Sequence, residues 1–307
     1  MAAAVAVAVG GTVALFIAPP DLAAAFAGAG PSAGPSGSAA ASPSDTPTAT
    51  ISPSPATAHS TVEVLNLPSH DRGRSSRSVW VYRPAVPDGP ALPVLYLLHG
   101  QFGTPRDPFD AGMQHDLDAL FRSGVPPFVV AVPDGASDTR ADDEWGDAAD
   151  RADLLESFLA RQVVPAVEGS LRRDRAHRAV AGFSMGGYAA AFTAQLHPGD
   201  YGQVVSMAGY FHPDDPDGVF PSSAQQWAHY PLARAWALNR TRVLLLDCTR
   251  ESDPVIRGEI YRMQSALRRA GHPPGTYVSP GDHGWPWVTS QWPRVARFLG
   301  QGWGQTR

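Results

Sequence analysis

The chain of 307 residues contains no lysine and a single cysteine, Cys248. One cysteine excludes an intrachain disulfide framework and a cysteine-based zinc or iron–sulfur site. The 24 basic residues, all arginine, are outnumbered by 29 acidic ones, giving a net charge of -5. No basic stripe stands out, which argues against a nucleic-acid partner. Long apolar runs are scarce too. The uncharged stretch Met1 to Ala18 falls a little short of the ~20 residues of a spanning helix and suits the core of a signal peptide.

Pro19 and Pro20 end that stretch, and Ala25-Phe26-Ala27 supplies the small–any–small pattern of a cleavage site. The usual basic segment before the apolar core is missing, so a cleavable signal peptide and an N-terminal membrane anchor both stay open for residues 1–27. Either reading expects export, to a secreted or cell-surface location. Residues 28–60 are Pro, Ser, Thr, Ala and Gly with almost no large apolar side chain. Such a segment buries too little surface to offset its ordering entropy and is expected to be a disordered linker. Function is therefore sought in residues 61–307, a single domain of roughly 250 residues.

From Thr61 the pattern changes. Thr61–Leu65 and Ser78–Tyr82 alternate with period two, as half-exposed strands of an antiparallel start. Pro93–Leu98, Phe128–Val132, Arg178–Gly182 and Val243–Leu246 are continuous apolar runs, the signature of strands covered on both faces, with Val204–Met207 a weaker member. Helical patterns separate them at Leu117–Ser123, Leu154–Gly169, Met185–Leu196 and Pro254–Ala270. Alternating strands and helices predict an α/β class with a mainly parallel central sheet and helices on both faces. In that architecture ligands collect beyond the carboxyl ends of the strands.

Gly182-Phe183-Ser184-Met185-Gly186 falls between a predicted strand and a predicted helix, the context that the G-x-S-x-G turn requires. The glycines let the backbone fold sharply, and the helix N-terminus favours developing negative charge beside the Ser184 hydroxyl. A serine hydroxyl needs a base, and on this fold the order along the chain is serine, acid, histidine. Of the downstream histidines, His283 lies in a turn directly after the short strand Gly275–Ser279, where the last strand delivers its loop to the active edge. The acid is expected after the strand Val243–Asp247, where Asp253 is favoured over Glu251, with Asp247 a further rival. Asp253, just before Pro254, also suits a helix N-cap. Asp282 adjoins the base and is expected to point away.

An oxyanion hole takes two N–H donors. Met185, after the serine, is expected to give one. The loop His99-Gly100-Gln101-Phe102-Gly103 gives the other, from Gln101 or Phe102. His99 reads as a side chain that stiffens this loop.

Leu97-Leu98-His99-Gly100, Val132-Pro133-Asp134-Gly135, Gly182 to Gly187, His197-Pro198 and Pro280-Gly281-Asp282-His283 follow one another in a single order. Together they resemble the Putative esterase family of α/β-hydrolases, which includes S-formylglutathione hydrolases, feruloyl esterases and mycobacterial mycolyltransferases. The resemblance covers about residues 60 to 300 and is most specific at Ser184-Met185-Gly186-Gly187. It implies the α/β-hydrolase fold and catalytic roles for Ser184 and His283. It places the acid in the Glu251/Asp253 loop without choosing between them, and makes Trp145 a pocket wall. The mycolyltransferases carry Asp where this chain has His99, and the cytosolic formylglutathione enzymes lack such a leader. Both departures favour a general secreted acyl-ester hydrolase.

Trp285 beside the base is a candidate acyl or aryl pocket residue, and Phe211 to Asn239 a candidate lid carrying Trp227 and Tyr230. Asp142-Asp143-Glu144 and His212 to Gly218 read as exposed, solvated segments. The expectation is a serine esterase acting on a small-molecule or cell-envelope ester, with no metal or organic cofactor. An acyltransferase using a sugar or lipid hydroxyl shares the same site. A non-catalytic surface-binding domain on a hydrolase scaffold is the reading from a different class.

Overall fold

The computed structural model describes residues 4–9, 12–17 and 59–304, apart from residues 73, 90, 91, 141 and 216. Ala4–Val9 and Thr12–Ile17 pair as two antiparallel strands. The cleavage pattern Ala25-Phe26-Ala27 and all but the last two residues of the 28–60 segment lie outside the described residues.

The C-terminal unit is built on eight strands: β1 (Thr61–Pro68), β2 (Ser76–Arg83), β3 (Val94–Leu98), β4 (Val129–Pro133), β5 (Arg178–Phe183), β6 (Gln203–Met207), β7 (Arg242–Arg250) and β8 (Gly275–Asp282). Their order in the sheet is β1-β2-β4-β3-β5-β6-β7-β8. β1 and β2 are antiparallel, as are β2 and β4, and every other neighbouring pair is parallel. This is the α/β-hydrolase arrangement expected from the sequence, with its antiparallel start.

Burial follows the residue patterns. β1 alternates because one face of an edge strand stays wet, whereas all five residues of β3, β4 and β6 are buried. Val94, Tyr96 and Leu98 pack into one core with Val180, Tyr188 and Ala190. Leu95 and Leu97 point the other way, into a second core with Phe128, Trp292 and Leu299. The period of two thus distributes one strand between two layers of helices.

Four helices of at least ten residues pack on the sheet: α1 (Met113–Arg122), α2 (Met185–Leu196), α3 (Glu259–Arg269) and α4 (Trp292–Gly302). The helix expected over Leu154–Gly169 is present but irregular, with a π-helical segment Leu159–Val163 between the α-helical segments Leu155–Phe158 and Val164–Glu168. Pro165 lacks the N–H that an α-helical ladder needs, so the hydrogen-bond spacing widens there. The helix expected from Pro254 begins only at Glu259, behind Gly258 at a φ of 82°. Residues 254–258 are turns instead, because a left-handed residue cannot continue a right-handed helix.

The segment from Phe211 to Asn239 is tied down. Tyr188 Oη donates to the His229 carbonyl at 2.7 Å, and Gln195 Nε2 donates to the carbonyls of Pro231 and Arg234, both at 3.0 Å. Glu156 accepts from or pairs with His197 Nε2 at 3.0 Å and His229 Nε2 at 3.3 Å. Those histidines hold the buried Glu156 carboxyl down at about 2 against the upward pull of burial. Tyr230 is buried and Trp227 half-buried, so this expected lid is an anchored shoulder of helix α2.

Candidate active site

Register carries the site residues to one edge. Leu98 lies opposite Gly182, Phe183 opposite Met207, Met207 opposite Leu246, and Cys248 opposite Ser279. The segments that leave β3, β5, β7 and β8 therefore emerge side by side, at the carboxyl ends where α/β sheets bind ligands. A separate cleft lined by Thr241, Arg242, Gly275 and Arg294 lies at the opposite end of β7 and β8.

Ser184 sits between β5 and α2 with φ 56° and ψ -122°, a conformation that L-residues rarely adopt. The surroundings impose it. Ser184 N donates to the Met207 carbonyl at 2.9 Å, while its own carbonyl accepts from Gly187 N at 2.8 Å and Tyr188 N at 3.2 Å. The two flanking glycines are steric requirements. A Cβ on Gly182 would lie 2.0 Å from the Gly186 carbonyl oxygen, and one on Gly186 would lie 2.2 Å from the Leu98 carbonyl oxygen. Only without those side chains does α2 start this close to β3.

His283 follows β8. Its Nδ1 lies 2.6 Å from Glu251 Oε2, with a side chain one-quarter exposed against 4% for Glu251. The imidazole ring centroid stands 4.6 Å from that of Phe183, the residue before Ser184. Trp285 also packs on Phe183, at 5.4 Å, and so lies near His283.

The carboxylate against His283 is Glu251 and not the favoured Asp253. The exposed Asp253 turns away: its Oδ1 accepts from Val255 N at 2.9 Å, and its own N–H donates to Glu251 Oε1 at 2.9 Å. A short side chain before Pro254 is better placed to close this turn, and the longer Glu251 reaches the His283 imidazole. Pro254 was the available signal, because it marks Asp253 as a capping position. Asp247 is buried on β7, where its Oδ1 accepts from Cys248 N at 2.8 Å, and burial pushes its carboxyl up to about 6, helped by the neighbouring Glu251 charge. Asp282 pairs with Arg250 on the exposed surface.

The loop after β3 presses on the serine: a Cβ on Gly100 would stand 3.1 Å from Ser184 Cβ. Met185 occupies the first turn of α2, whose N–H groups have no acceptor within the helix. Gln101 is exposed, with its Nε2 donating to Asp142 Oδ2 at 3.2 Å. Phe102 takes a φ of 57° and leaves its ring 81% exposed at the rim.

His99 anchors this loop from below. Gly135 N donates to its Nε2 at 2.9 Å, which leaves Nδ1 as the protonated nitrogen, 2.9 Å from the Gly100 carbonyl. Burial lowers the pKa of His99, keeping the ring neutral. Trp145 does not form an open pocket wall: it is buried, its Nε1 donates to the His99 carbonyl at 3.0 Å, and its ring lies 5.0 Å from that of His99. The space over Gly135 is what admits it, since a Cβ there would fall 2.4 Å from the indole.

Asp142, Asp143 and Glu144 are buried, contrary to the expectation of an exposed segment. Their carboxylates close the turns that place Trp145: Asp142 Oδ1 accepts from Glu144 N at 3.1 Å and Asp143 Oδ1 from Trp145 N at 3.0 Å. Glu144 Oε1 accepts from Tyr210 Oη at 3.2 Å and Asp215 N at 3.1 Å, which draws the 212–218 loop onto the cluster. Burial raises the carboxyl of Asp142 to about 6 and that of Asp143 to about 7, and holds Glu144 well above its ordinary range. Sequence patterning missed this cluster because consecutive acids read as solvent-facing.

Comparisons with known proteins agree with this architecture. A ferulic acid esterase superposes with a TM-score of 0.69 at 23% identity, covering 80% of this chain and 99% of that one. The S-formylglutathione hydrolase FrmB of Staphylococcus aureus gives 0.61 at 18% identity, covering 80% and 98%. MPT51 (FbpC1) of Mycobacterium tuberculosis gives 0.61 at 22% identity, covering 80% and 99%. At these identities the likeness shows the fold. Esterase Rv1288 of Mycobacterium tuberculosis (strain ATCC 25618 / H37Rv) is 31% identical over 45% of this chain and 34% of its own, so the chain spans about a third of the length of that curated relative. With strand order, the serine turn and the histidine–glutamate pair in place, the match of residues 72–289 to the Putative esterase family model completes the assignment: the chain belongs to that family.

Proposed function

We propose that this protein is an exported serine esterase that cleaves carboxylic esters or thioesters through an acyl-enzyme, with Ser184, His283 and Glu251 as its catalytic triad. The observation that carries the reading is the 2.6 Å contact of His283 Nδ1 with Glu251 Oε2, on the edge where Ser184 stands in its strained turn. Glu251 holds the imidazole with its proton on Nδ1, which leaves the Nε2 lone pair to accept the Ser184 proton. Ser184 Oγ attacks the carbonyl carbon, and the N–H groups of Met185 and of Gln101 or Phe102 stabilise the oxyanion. His283 then gives the proton to the departing alcohol or thiol, and water, activated by the same imidazole, releases the acid. The apolar stretch at residues 1–18 supports export.

Acyl transfer is the second reading. The exposed Phe102, in the loop whose Gly100 packs on Ser184, offers an apolar surface on which a lipid or aryl acceptor can pack and intercept the acyl-enzyme in place of water. The test is a fluorophosphonate label followed by peptide mass spectrometry, run beside p-nitrophenyl ester hydrolysis by the wild type and Ser184→Ala. An adduct on Ser184 and loss of hydrolysis in the variant support the reading; equal rates, or an adduct elsewhere, end it. Product analysis with an added alcohol separates transfer from hydrolysis.

A further inference from the structure

Cys248 lies on β7, three residues before Glu251, with its side chain buried against the triad. Its Sγ stands 3.8 Å from Glu251 Oε2, the same oxygen that faces His283 Nδ1 at 2.6 Å. The thiol, carboxylate and imidazole ligand atoms all fall within 4.8 Å of one another. Four-coordinate zinc has bonds of ~2.3 Å to sulfur and ~2.0–2.2 Å to nitrogen and oxygen, so the edges of its tetrahedron run to roughly 3.4–3.6 Å. The sulfur–oxygen separation is close to such an edge, the nitrogen–oxygen separation needs to open by under about 1 Å, and the sulfur–nitrogen separation, within 4.8 Å, needs to close by at most about 1.2 Å.

We propose that Cys248, Glu251 and His283 form an inhibitory site for a thiophilic divalent cation such as Zn²⁺, which switches off the esterase by taking the triad's carboxylate and imidazole. The ion binds the Cys248 thiolate, Glu251 Oε2 and His283 Nδ1, leaving its fourth position to water. The thiol proton goes to solvent. The imidazole stays neutral, so the proton that was on Nδ1 is carried by Nε2 once the metal holds Nδ1. Nε2 then has no lone pair for the Ser184 proton, and the general base is lost without blocking the serine itself. Hard cations do not substitute, because Mg²⁺ and Ca²⁺ prefer all-oxygen sites. The expectation drawn from a lone cysteine fails to foresee this site, because tertiary structure supplies the other two ligands. The inhibitory consequence rests on the esterase reading; the binding site does not.

The test titrates the metal-free, chelator-treated protein with Co²⁺ and Zn²⁺ while two readouts are followed. Co²⁺ is expected to produce a thiolate-to-metal charge-transfer absorption that saturates at one ion per chain, disappears in Cys248→Ser and Cys248→Ala, and is displaced by Zn²⁺. Hydrolysis of a p-nitrophenyl ester is expected to fall over the same Zn²⁺ range and to return with EDTA. Each cysteine variant, measured against its own metal-free rate, should need at least about tenfold more Zn²⁺ for half-inhibition, since even outer-shell partners of a metal site are worth about 10–100-fold in affinity. No charge-transfer absorption in the wild type overturns the site. Absorption without loss of activity, or equal Zn²⁺ sensitivity of the cysteine variants, overturns the inhibitory mechanism. If Ser184→Ala hydrolyses the ester as fast as the wild type, the esterase reading fails while the Co²⁺ absorption still decides the site.

Discussion

Glu251 Oε2 faces His283 Nδ1 at 2.6 Å while its Oε1 accepts the Asp253 N–H at 2.9 Å, so one carboxylate joins the β7 loop to the imidazole. Asp253 holds the acid in place and does not replace it. This division of labour between two acids of one short turn can be tested directly.

Glu251→Gln is expected to lower kcat for p-nitrophenyl acetate by roughly 10⁴-fold, the scale seen when a triad carboxylate becomes an amide and the imidazole tautomer is lost. Asp253→Asn keeps the side-chain oxygen that accepts from Val255 N and is expected to stay within about threefold of the wild type. Steady-state kinetics of the two variants side by side check this, and a larger loss in Asp253→Asn would reverse the assignment.

Gly186→Ala is expected to destabilise the fold by at least about 2 kcal/mol, as overpacking against backbone does. Its Cβ would lie 2.2 Å from the Leu98 carbonyl oxygen, and neither β3 nor α2 has room to give. Gly199→Ala, with nothing within 4 Å of its Cβ, serves as the control and should leave the midpoint nearly unchanged. Thermal unfolding of both variants gives the comparison.

Trp145→Phe removes the Nε1 donor to the His99 carbonyl, at the base of the loop proposed to form the oxyanion hole. The expected result is a fall in kcat of about tenfold, the size of one lost buried hydrogen bond of ~1–2 kcal/mol, with KM nearly unchanged. A change confined to KM would instead mark Trp145 as a substrate contact.

Asp143→Asn separates charge from hydrogen bonding, because the amide oxygen can still accept from Trp145 N. Burial raises the Asp143 carboxyl to about 7 in the folded chain. Between about pH 4, its ordinary value, and that point, the unfolded chain binds fewer protons, so this residue makes stability fall as pH rises. The variant should therefore gain on the order of 4 kcal/mol over the wild type at pH 8 and little at pH 4. Denaturant melts at the two pH values measure the difference, and an equal effect at both would remove the charge explanation.

The local pattern of residues was enough for the strands, the parallel sheet with its antiparallel start, and the turn that carries Ser184. Each of these depends on periodicity or on glycines at fixed offsets, which are properties of a short segment. The position of His283 was legible for a similar reason, since a turn after the last strand has one edge to which it can deliver a side chain. Packing alone decided among side chains whose neighbours come from elsewhere in the chain. Glu251 and Asp253 are two residues apart and alike in chemistry, and only the way the 251–255 turn closes gives the His283 imidazole to the longer one. Trp145 and the acids before it are buried because His99, Tyr210 and Asp215 supply hydrogen-bond partners from distant segments. Burial of a polar group is settled by partners that a linear reading does not see.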